Sequence, residues 1–133
     1  MAAFSPDVRE KLEEPNFWHV ATINEDGQPQ VSPVWLDVEG DVLLLNTAKG
    51  RIKERNVRRD PRVTLSMFYP ENPYSRIEIR GRVTDLADGA PADDSIDKLA
   101  KKYLGEDKYP FRQPGEERVL LRIEPTKVIH HTA

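Results

Sequence analysis

The chain has 133 residues, a net charge of −3 and no cysteine. This length predicts one domain spanning residues 1–133, with enough chain to build a hydrophobic core without covalent cross-links. The lack of cysteine excludes disulfides, thiolate metal ligands and cysteine nucleophiles. The acidic balance argues against a dedicated nucleic-acid binder. Charged residues near the N-terminus and short apolar runs argue against a signal peptide and a membrane span, so we expect a cytoplasmic protein.

The first element predicted is a short helix. Ser5 is suited to the N-cap position, Pro6 to the first helical position and Asp7 to the positive end of the helix dipole. Pro15 is predicted to end this helix.

Six segments rich in β-branched and aromatic residues, separated by short polar turns, predict β-strands. They comprise residues 17–23, 30–38, 42–47, 62–69, 75–85 and 118–130. Pro33 lies inside the second segment. Because proline has no N–H to donate to a neighbouring strand, this strand is predicted to lie at an edge, to contain a bulge or to face a ligand. Six strands with helices at the margins predict a mainly β fold, a small antiparallel barrel.

Two more helices are predicted between the strands. Residues 49–59 contain few apolar positions, which predicts a short surface helix with little to bury. Residues 96–104 carry the most regular helical stripe in the chain, and Gly105 ends it. Residues 87–91 are predicted to be a linker, and residues 106–117 a polar loop.

Motifs of the common hydrolases and nucleotide-binding enzymes are absent from the sequence. The histidines are His19, His130 and His131. A single strand histidine such as His19 favours a structural role over acid–base work. The terminal pair offers too few ligands for a stable metal centre, and we predict no metal site.

The segment from Thr47 to Lys53 predicts an anion site. Residues 49–62 contain seven basic and two acidic side chains, which suggests a local anionic ligand, although a solvated helix face gives the same pattern. A strand ends at Thr47, Gly50 makes a turn, and a helix begins with Arg51 and Lys53 in its first turn. The helix start attracts a phosphate, the hydroxyl and the two cations add contacts, and the glycine permits close approach.

Three longer runs of sequence carry a resemblance to a known family. They are residues 27–35 (GQPQVSPVW), 45–56 (LNTAKGRIKERN) and 60–63 (DPRV). In these runs the chain resembles the pyridoxamine-phosphate-oxidase-like, FMN-binding split-barrel superfamily. More narrowly, it resembles the F420-dependent deazaflavin oxidoreductases, and residues 102–105 also look like that branch. The resemblance implies a six-stranded antiparallel split β-barrel.

The resemblance also implies a cofactor site. The second strand would lie along the cofactor ring, and the basic turn would hold the cofactor phosphate. The implied binding residues are Gln30, Val31, Ser32, Pro33, Thr47, Lys49, Gly50, Arg51, Lys53 and Asn56, with Tyr74 and Arg76 reaching the cofactor of a partner chain. The implied cofactor is coenzyme F420, with FMN as the alternative because both present a phosphate. The implied assembly is a homodimer with two sites at its interface.

The implied activity is hydride transfer between a deazaflavin and a conjugated small molecule, in which the protein positions the cofactor and excludes water. Two alternatives remain: an FMN-dependent oxidase or flavin reductase of the same fold, and a carrier that binds the cofactor without turnover. No residue is assigned as catalytic. The candidate proton sources are His19, Tyr69, Tyr74 and Tyr109.

Overall fold

The computed structural model describes residues 2–133, which form three helices and seven strands. The helices are α1 (Pro6–Glu13), α2 (Ile52–Arg59) and α3 (Ala90–Leu104). The strands are β1 (Trp18–Ile23), β2 (Pro29–Val34), β3 (Asp37–Glu39), β4 (Val42–Ala48), β5 (Arg62–Tyr69), β6 (Asn72–Ala87) and β7 (Arg118–His131). The predicted mainly β, antiparallel fold with flanking helices is confirmed. None of the helices within residues 2–133 has the length and apolarity needed to cross a bilayer.

The seven strands form one antiparallel sheet in the order β2-β1-β5-β6-β7-β4-β3. β2 and β3 are consecutive in the chain, yet they lie at opposite edges of the sheet. Trp35 and Leu36 alone connect them, so the Cα atoms of Val34 and Asp37 are at most about 11 Å apart. The sheet therefore curls until its two edges come close without pairing, which is a split barrel. Pro33 lies on the edge strand β2, which confirms the first of its three predicted placements.

The prediction of six strands is wrong, because the predicted strand 30–38 is two strands, β2 and β3. At the break between them, side chains of α3 bind the backbone of Leu36. The hydroxyl of Tyr103 accepts its N–H at 3.0 Å, and Nζ of Lys102 donates to its carbonyl at 2.7 Å. Side-chain partners replace strand partners at this residue, so neither edge strand continues through it.

Lys102 and Tyr103, which we call the α3 clasp, also bind the segment before β1. Lys102 donates to the carbonyl of Leu12 at 2.5 Å, and Tyr103 donates to the carbonyl of Asn16 at 2.5 Å. Burial raises the pKa of Tyr103 to about 12, so its hydroxyl keeps its proton at neutral pH. The clasp thus joins α1, the start of β1 and the β2–β3 break.

The core fills the inside of the curled sheet. Trp18, Leu65 and Ile79 from the central strands are fully buried there, and Val8 and Leu12 of α1 extend the same cluster. Full burial of one large apolar side chain stabilises the fold by about 1.5–3 kcal/mol. The core therefore supplies the rigid frame on which the loops and helix ends at its margin are held.

β6 bends where it pairs with β7. The register of this pair shifts at Gly81, and a Cβ atom there would lie 2.8 Å from both the carbonyl oxygen of Glu124 and Cγ2 of Ile123. A side chain at this position would force the two strands apart. Glycine is needed because the strands approach each other too closely for any Cβ atom.

Two helices differ from their predicted form. α2 buries Glu54, Asn56 and Val57, so it is not the predicted surface helix with little to bury. Its inner face is mostly polar, and an apolar pattern cannot reveal such a face. α3 begins at Ala90, inside the predicted linker, because Pro91 suits the first turn of a helix.

Candidate anion-binding site

A cavity of about 220 Å³ lies where strand ends meet the start of α2 and the side of α3. Its lining has a polar part and an apolar part. The polar part consists of Asn46, Thr47, Arg51, Lys53 and Arg118. The apolar part consists of Phe17, Pro33, Val34, Trp35, Ile96, Leu99, Tyr109 and Phe111.

Arg118 is fixed in the wall by three contacts. Its Nε donates to Oδ1 of Asn46 at 2.8 Å, and its Nη1 donates to Oε1 of Glu116 at 2.6 Å. The guanidinium carbon lies 5.2 Å from the centre of the Tyr109 ring. β4 and β7 are neighbours in the sheet, and Ala48 at the end of β4 lies opposite Arg118. Arg118 is therefore located beside the end of β4.

Lys53 brings a second positive charge into the cavity wall. It lies in the first turn of α2, and its Nζ donates to Oγ of Ser32 at 2.9 Å. Burial lowers the pKa of Lys53, and the nearby charges of Arg51 and Arg118 lower it further. Within residues 2–133 no carboxylate lies within ion-pair distance of this lysine. Its charge is therefore uncompensated, which favours binding of an anion.

Thr47 supplies a free hydroxyl at the same place. Its side chain is 1% exposed, and Oγ1 has no hydrogen-bond partner in the described part of the chain. An unsatisfied buried polar group costs roughly 1–3 kcal/mol. Because Thr47 lines the cavity, a ligand oxygen there would satisfy its hydroxyl.

The start of α2 adds backbone donors. Arg51 is the N-cap residue of this eight-residue helix, and its side chain makes no capping hydrogen bond. The first N–H groups of a helix lack partners within the helix, and the dipole makes this end positive. Arg51, Lys53 and Arg118 together carry three positive charges, whereas Glu116, the ion-pair partner of Arg118, carries one negative charge. The polar part of the cavity taken together with Glu116 thus has a net charge of about +2 at neutral pH, which suits a phosphate group.

The apolar part of the cavity contains aromatic rings that pack against one another. Trp35 stacks on Tyr103 with centroids 5.3 Å apart and meets Tyr109 edge-on at 6.0 Å. Tyr109 contacts Phe111 at 5.7 Å. Such flat apolar surfaces suit a planar conjugated ring. A basic surface and an aromatic surface therefore adjoin in one cavity.

The structure brings together several of the residues predicted for the cofactor. Pro33, Thr47, Arg51 and Lys53 line the cavity, and Ser32 reaches it through its hydrogen bond with Lys53.

Lys49 and Gly50 do not line this cavity. Nζ of Lys49 lies 3.2 Å from Asp88 and 3.1 Å from Glu117, and these carboxylates raise its pKa. The N–H of Gly50 donates to Oε1 of Glu54 at 2.8 Å, so it is occupied.

Asn56 also lies elsewhere, where it ties α2 to the sheet. Its Nδ2 donates to Oγ1 of Thr22 at 3.0 Å and to Oδ1 of Asn24 at 2.9 Å. Both of its amide protons are therefore used by these contacts.

The remaining predicted residues lie outside the cavity of the single chain. Val31 is exposed on edge strand β2, where Oε1 of Gln30 is buried without a partner in residues 2–133. Tyr74 is 76% exposed and Arg76 is also exposed, both on β6. A cofactor role for these four residues stays a prediction.

Sequence reasoning missed Arg118, Asn46 and the aromatic lining apart from Tyr109, which it named as a candidate proton source. Arg118 had one signal, a charged residue directly before the apolar run Val119–Leu120–Leu121. Asn46 and the other aromatic residues had none, because the pairing of β4 with β7 and the packing of α3 bring them together.

A split barrel with a basic cavity beside the strand–turn–helix of residues 47–53 has the charge and shape that suit a phosphate-bearing ligand. The sequence model of the pyridoxamine 5′-phosphate oxidase family matches residues 4–132. The chain belongs to this family.

Solved structures agree with this assignment. An F420 reductase is 34% identical to this chain. The match covers 94% of this chain and 98% of the reductase, with a TM-score of 0.80. This similarity confirms the predicted resemblance to the deazaflavin branch. A conserved hypothetical protein from Mycobacterium tuberculosis is 20% identical, covering 96% and 84% of the two chains with a TM-score of 0.73. HupZ from Group A Streptococcus is 12% identical, covering 96% and 94% with a TM-score of 0.69. The last two share the fold.

Proposed function

We propose that this protein is an F420-dependent oxidoreductase that transfers a hydride between the deazaflavin and a conjugated small molecule. The family and the F420 reductase neighbour support a flavin- or deazaflavin-dependent oxidoreductase in general. The observation in the structure that carries the proposed cofactor site is the buried, unpartnered hydroxyl of Thr47, which lines the cavity together with Arg51 and Lys53. The choice of F420 is supported by the F420 reductase neighbour.

The residues present fit the phosphate of such a cofactor. Thr47 would donate to one phosphate oxygen, and the N–H groups at the start of α2 would donate to others. Arg51 and Lys53 would neutralise its charge with charge-assisted hydrogen bonds. The phosphate end would thereby be fixed, and the ring position with it.

The cofactor, when bound, supplies the hydride chemistry itself. The chain's own residues orient it and exclude water: Trp35, Phe17 and Phe111 provide an apolar wall beside the phosphate site. Of the four predicted proton sources, Tyr109 lines this cavity, whereas the hydroxyl of Tyr69 is bonded to Nε2 of His130 at 2.6 Å. Tyr109 is therefore the first residue to replace in a search for the proton donor.

We also propose that the working unit is a homodimer. The cavity of one chain is smaller than the roughly 300–1,000 Å³ of typical ligand pockets, so a tricyclic cofactor would extend beyond it. Val31, Phe68 and Tyr74 are exposed apolar side chains that a partner would cover. Light scattering at micromolar concentration should give the mass of a dimer. We expect the dimer interface to bury about 1,600 Å² or more in total. A monomer that binds the cofactor normally would contradict this proposal.

Fluorescence titration of the cofactor-free protein with F420 and with FMN tests the choice of cofactor. We expect F420 to bind at least tenfold more tightly at low salt, a difference of about 1.4 kcal/mol. F420 carries carboxylates beyond its phosphate, and the half-exposed Arg51 side chain can reach them. Equal affinities, or tighter binding of FMN, would favour the FMN-dependent oxidase or flavin reductase.

A turnover assay separates an enzyme from a carrier. Reduced F420 is mixed with a panel of conjugated alkenes and imines, and its oxidation is followed by absorbance. We expect oxidation that requires both the protein and an acceptor. Tight binding without turnover across the panel would favour a carrier protein.

A further inference from the structure

Arg118 lines the same cavity, and its ion-pair partner Glu116, which is not among the lining residues, is left unused by the proposed function. Arg118 and Glu116 are both nearly buried, with side chains 4% and 9% exposed. Hydrogen bonds to Glu116 and Asn46 occupy Nη1 and Nε of Arg118. In residues 2–133 its Nη2 has no hydrogen-bond partner. The guanidinium is therefore fixed in orientation but keeps donors for a ligand.

Glu116 contacts a second cation of the site more loosely. Its Oε2 lies 3.7 Å from an Nη atom of Arg51, whereas its Oε1 lies 2.6 Å from Arg118. The Arg51 side chain is 53% exposed, so it has room to move, and Arg118 does not. One carboxylate thus joins a fixed arginine to a movable one.

The charge of Glu116 has two opposite consequences for an anion in the cavity. A buried guanidinium needs a nearby negative charge, and breaking such a pair from one side is strongly destabilising. The same carboxylate repels any anion that approaches Arg51 and Arg118, and this repulsion is weakly screened away from bulk water. Glu116 therefore stabilises the empty site and opposes its occupation.

We propose that Arg118 is a third anion-binding residue of this cavity, and that Glu116 is an internal counter-ion which Arg51 exchanges for the anion of the ligand. The position of the phosphate in this proposal rests on the proposed function. The proposal adds the Arg118–Glu116 pair, which sets the charge that an anion encounters there.

The test measures binding of inorganic pyrophosphate and of F420 to five proteins by tryptophan fluorescence, since Trp35 lines the cavity. The proteins are the wild type, Glu116→Gln, the double variant Arg118→Gln/Glu116→Gln, Arg118→Lys, and the control Glu117→Gln. Glu117 is the adjacent carboxylate, but it pairs with Lys49 rather than with Arg51 or Arg118. We expect Glu116→Gln to bind both probes about tenfold more tightly than wild type. We expect the control to differ from wild type by less than twofold.

The double variant removes both charges, so it leaves no lone buried charge and keeps the fold measurable. We expect it to bind at least thirtyfold more weakly than Glu116→Gln and to show a weaker dependence on salt. Arg118→Lys, which keeps the charge, should bind within about threefold of wild type. A purely structural role of Arg118 would lower the unfolding temperature without changing the salt dependence of binding.

Each outcome decides the proposal. If Glu116→Gln weakens binding, the carboxylate only supports Arg118 and the counter-ion role is overturned. If the double variant binds as tightly as Glu116→Gln, Arg118 does not contact the anion. If the wild type binds pyrophosphate with the expected ranking but does not bind F420, the proposed function fails and this inference stands. If neither probe binds, both are overturned.

Discussion

Two lysines in this protein are similarly buried, but they have opposite surroundings. Burial lowers the pKa of Lys53 and of Lys102. The ammonium of Lys102 donates to two backbone carbonyls and lies 3.8 Å from Asp37, whose charge acts to raise its pKa. The ammonium of Lys53 donates to the Ser32 hydroxyl and has the cations Arg51 and Arg118 as charged neighbours.

This difference in surroundings indicates that Lys102 has a structural role and that Lys53 has a role in binding. Lys102 satisfies groups that the fold would otherwise leave unpaired, so its contacts are complete in the absence of a ligand. Lys53 carries a charge that its surroundings do not balance, and desolvating such a charge is unfavourable unless a partner arrives. Removing Lys102 should therefore damage the fold, and removing Lys53 should damage binding.

The largest effect is expected for Lys102→Met. This change removes the ammonium that donates to the carbonyls of Leu12 and Leu36 and leaves Leu36 only a 3.3 Å contact with the Tyr103 hydroxyl, which costs about 3 kcal/mol in the free energy of unfolding and roughly 10 °C in Tm. Thermal unfolding followed by circular dichroism measures it. The control Lys101→Met removes an exposed pair with Asp107 and should cost under about 0.5 kcal/mol. Equal stability of the two variants would show that Lys102 is not structural.

The next effect concerns binding. Lys53→Ala and Arg51→Ala should each weaken F420 binding about ten- to a hundredfold, because each removes a charge-assisted contact worth roughly 1.5–3 kcal/mol. Stability without ligand should change little, and high salt should reduce the loss. The matched control is Arg55→Ala, an exposed cation on the same helix that lies outside the cavity. A loss at Arg55 as large as at Lys53 would indicate general electrostatics and refute the phosphate site.

A smaller effect is expected for Thr47→Val, which replaces the unpartnered hydroxyl with a methyl group of similar size. Affinity for F420 should fall about fivefold, roughly 1 kcal/mol, while the unliganded protein keeps or slightly gains stability. Thr47→Ser keeps the hydroxyl and serves as the control for binding. If Thr47→Val binds F420 as the wild type does, the hydroxyl does not contact the phosphate.

The smallest effect is a pH dependence of binding. The charged form of Lys53 binds the anion, and its pKa in the free protein lies below the ordinary value. Affinity should therefore be full well below that lowered pKa and should fall about twofold by the pH that equals it, because half of the lysine is then uncharged. Titrations from neutral to alkaline pH measure this. In Lys53→Arg, which stays charged, the curve should be flat over the same range, and an unchanged slope would exclude Lys53 as its origin.

The sequence predicts those cavity residues that lie in one short segment of the chain. Thr47, Arg51 and Lys53 lie within one strand end, turn and helix start, so their order along the chain gives their positions in space. Lys49 belongs to the same run but lies outside the cavity. The turn at Gly50, with φ +87°, and its N–H bond to Glu54 orient the backbone so that Lys49 pairs elsewhere.

The net positive charge of residues 49–62 is also larger than the positive charge that this segment brings to the cavity. Of the seven cations in residues 49–62, several have protein partners. Arg58 pairs with Glu54, Arg62 pairs with Asp60 at 2.7 Å, and Arg59 donates to the carbonyl of Ile23 at 2.6 Å. The cavity takes two cations from this window and a third, Arg118, from β7.

Features that depend on distant residues could not be predicted from local patterns. The break between β2 and β3 depends on Tyr103, which is 67 residues beyond Leu36 in the chain. The position of Arg118 depends on the register of β7 against β4, a pairing that apolar alternation alone does not specify. The six-strand count failed for the same reason, because residues 30–38 have a continuous strand pattern.

The two-residue connection between β2 and β3 has a kinetic consequence. β1 with β2 and β3 with β4 are local hairpins, which form early, whereas bringing the two sheet edges together requires the whole sheet and α3. The α3 clasp is therefore expected to form after the folding transition state, with φ-values near zero at Lys102 and Tyr103. Weakening it should speed unfolding and leave the folding rate nearly unchanged. The clasp thus determines how long a folded molecule lasts rather than how quickly it forms.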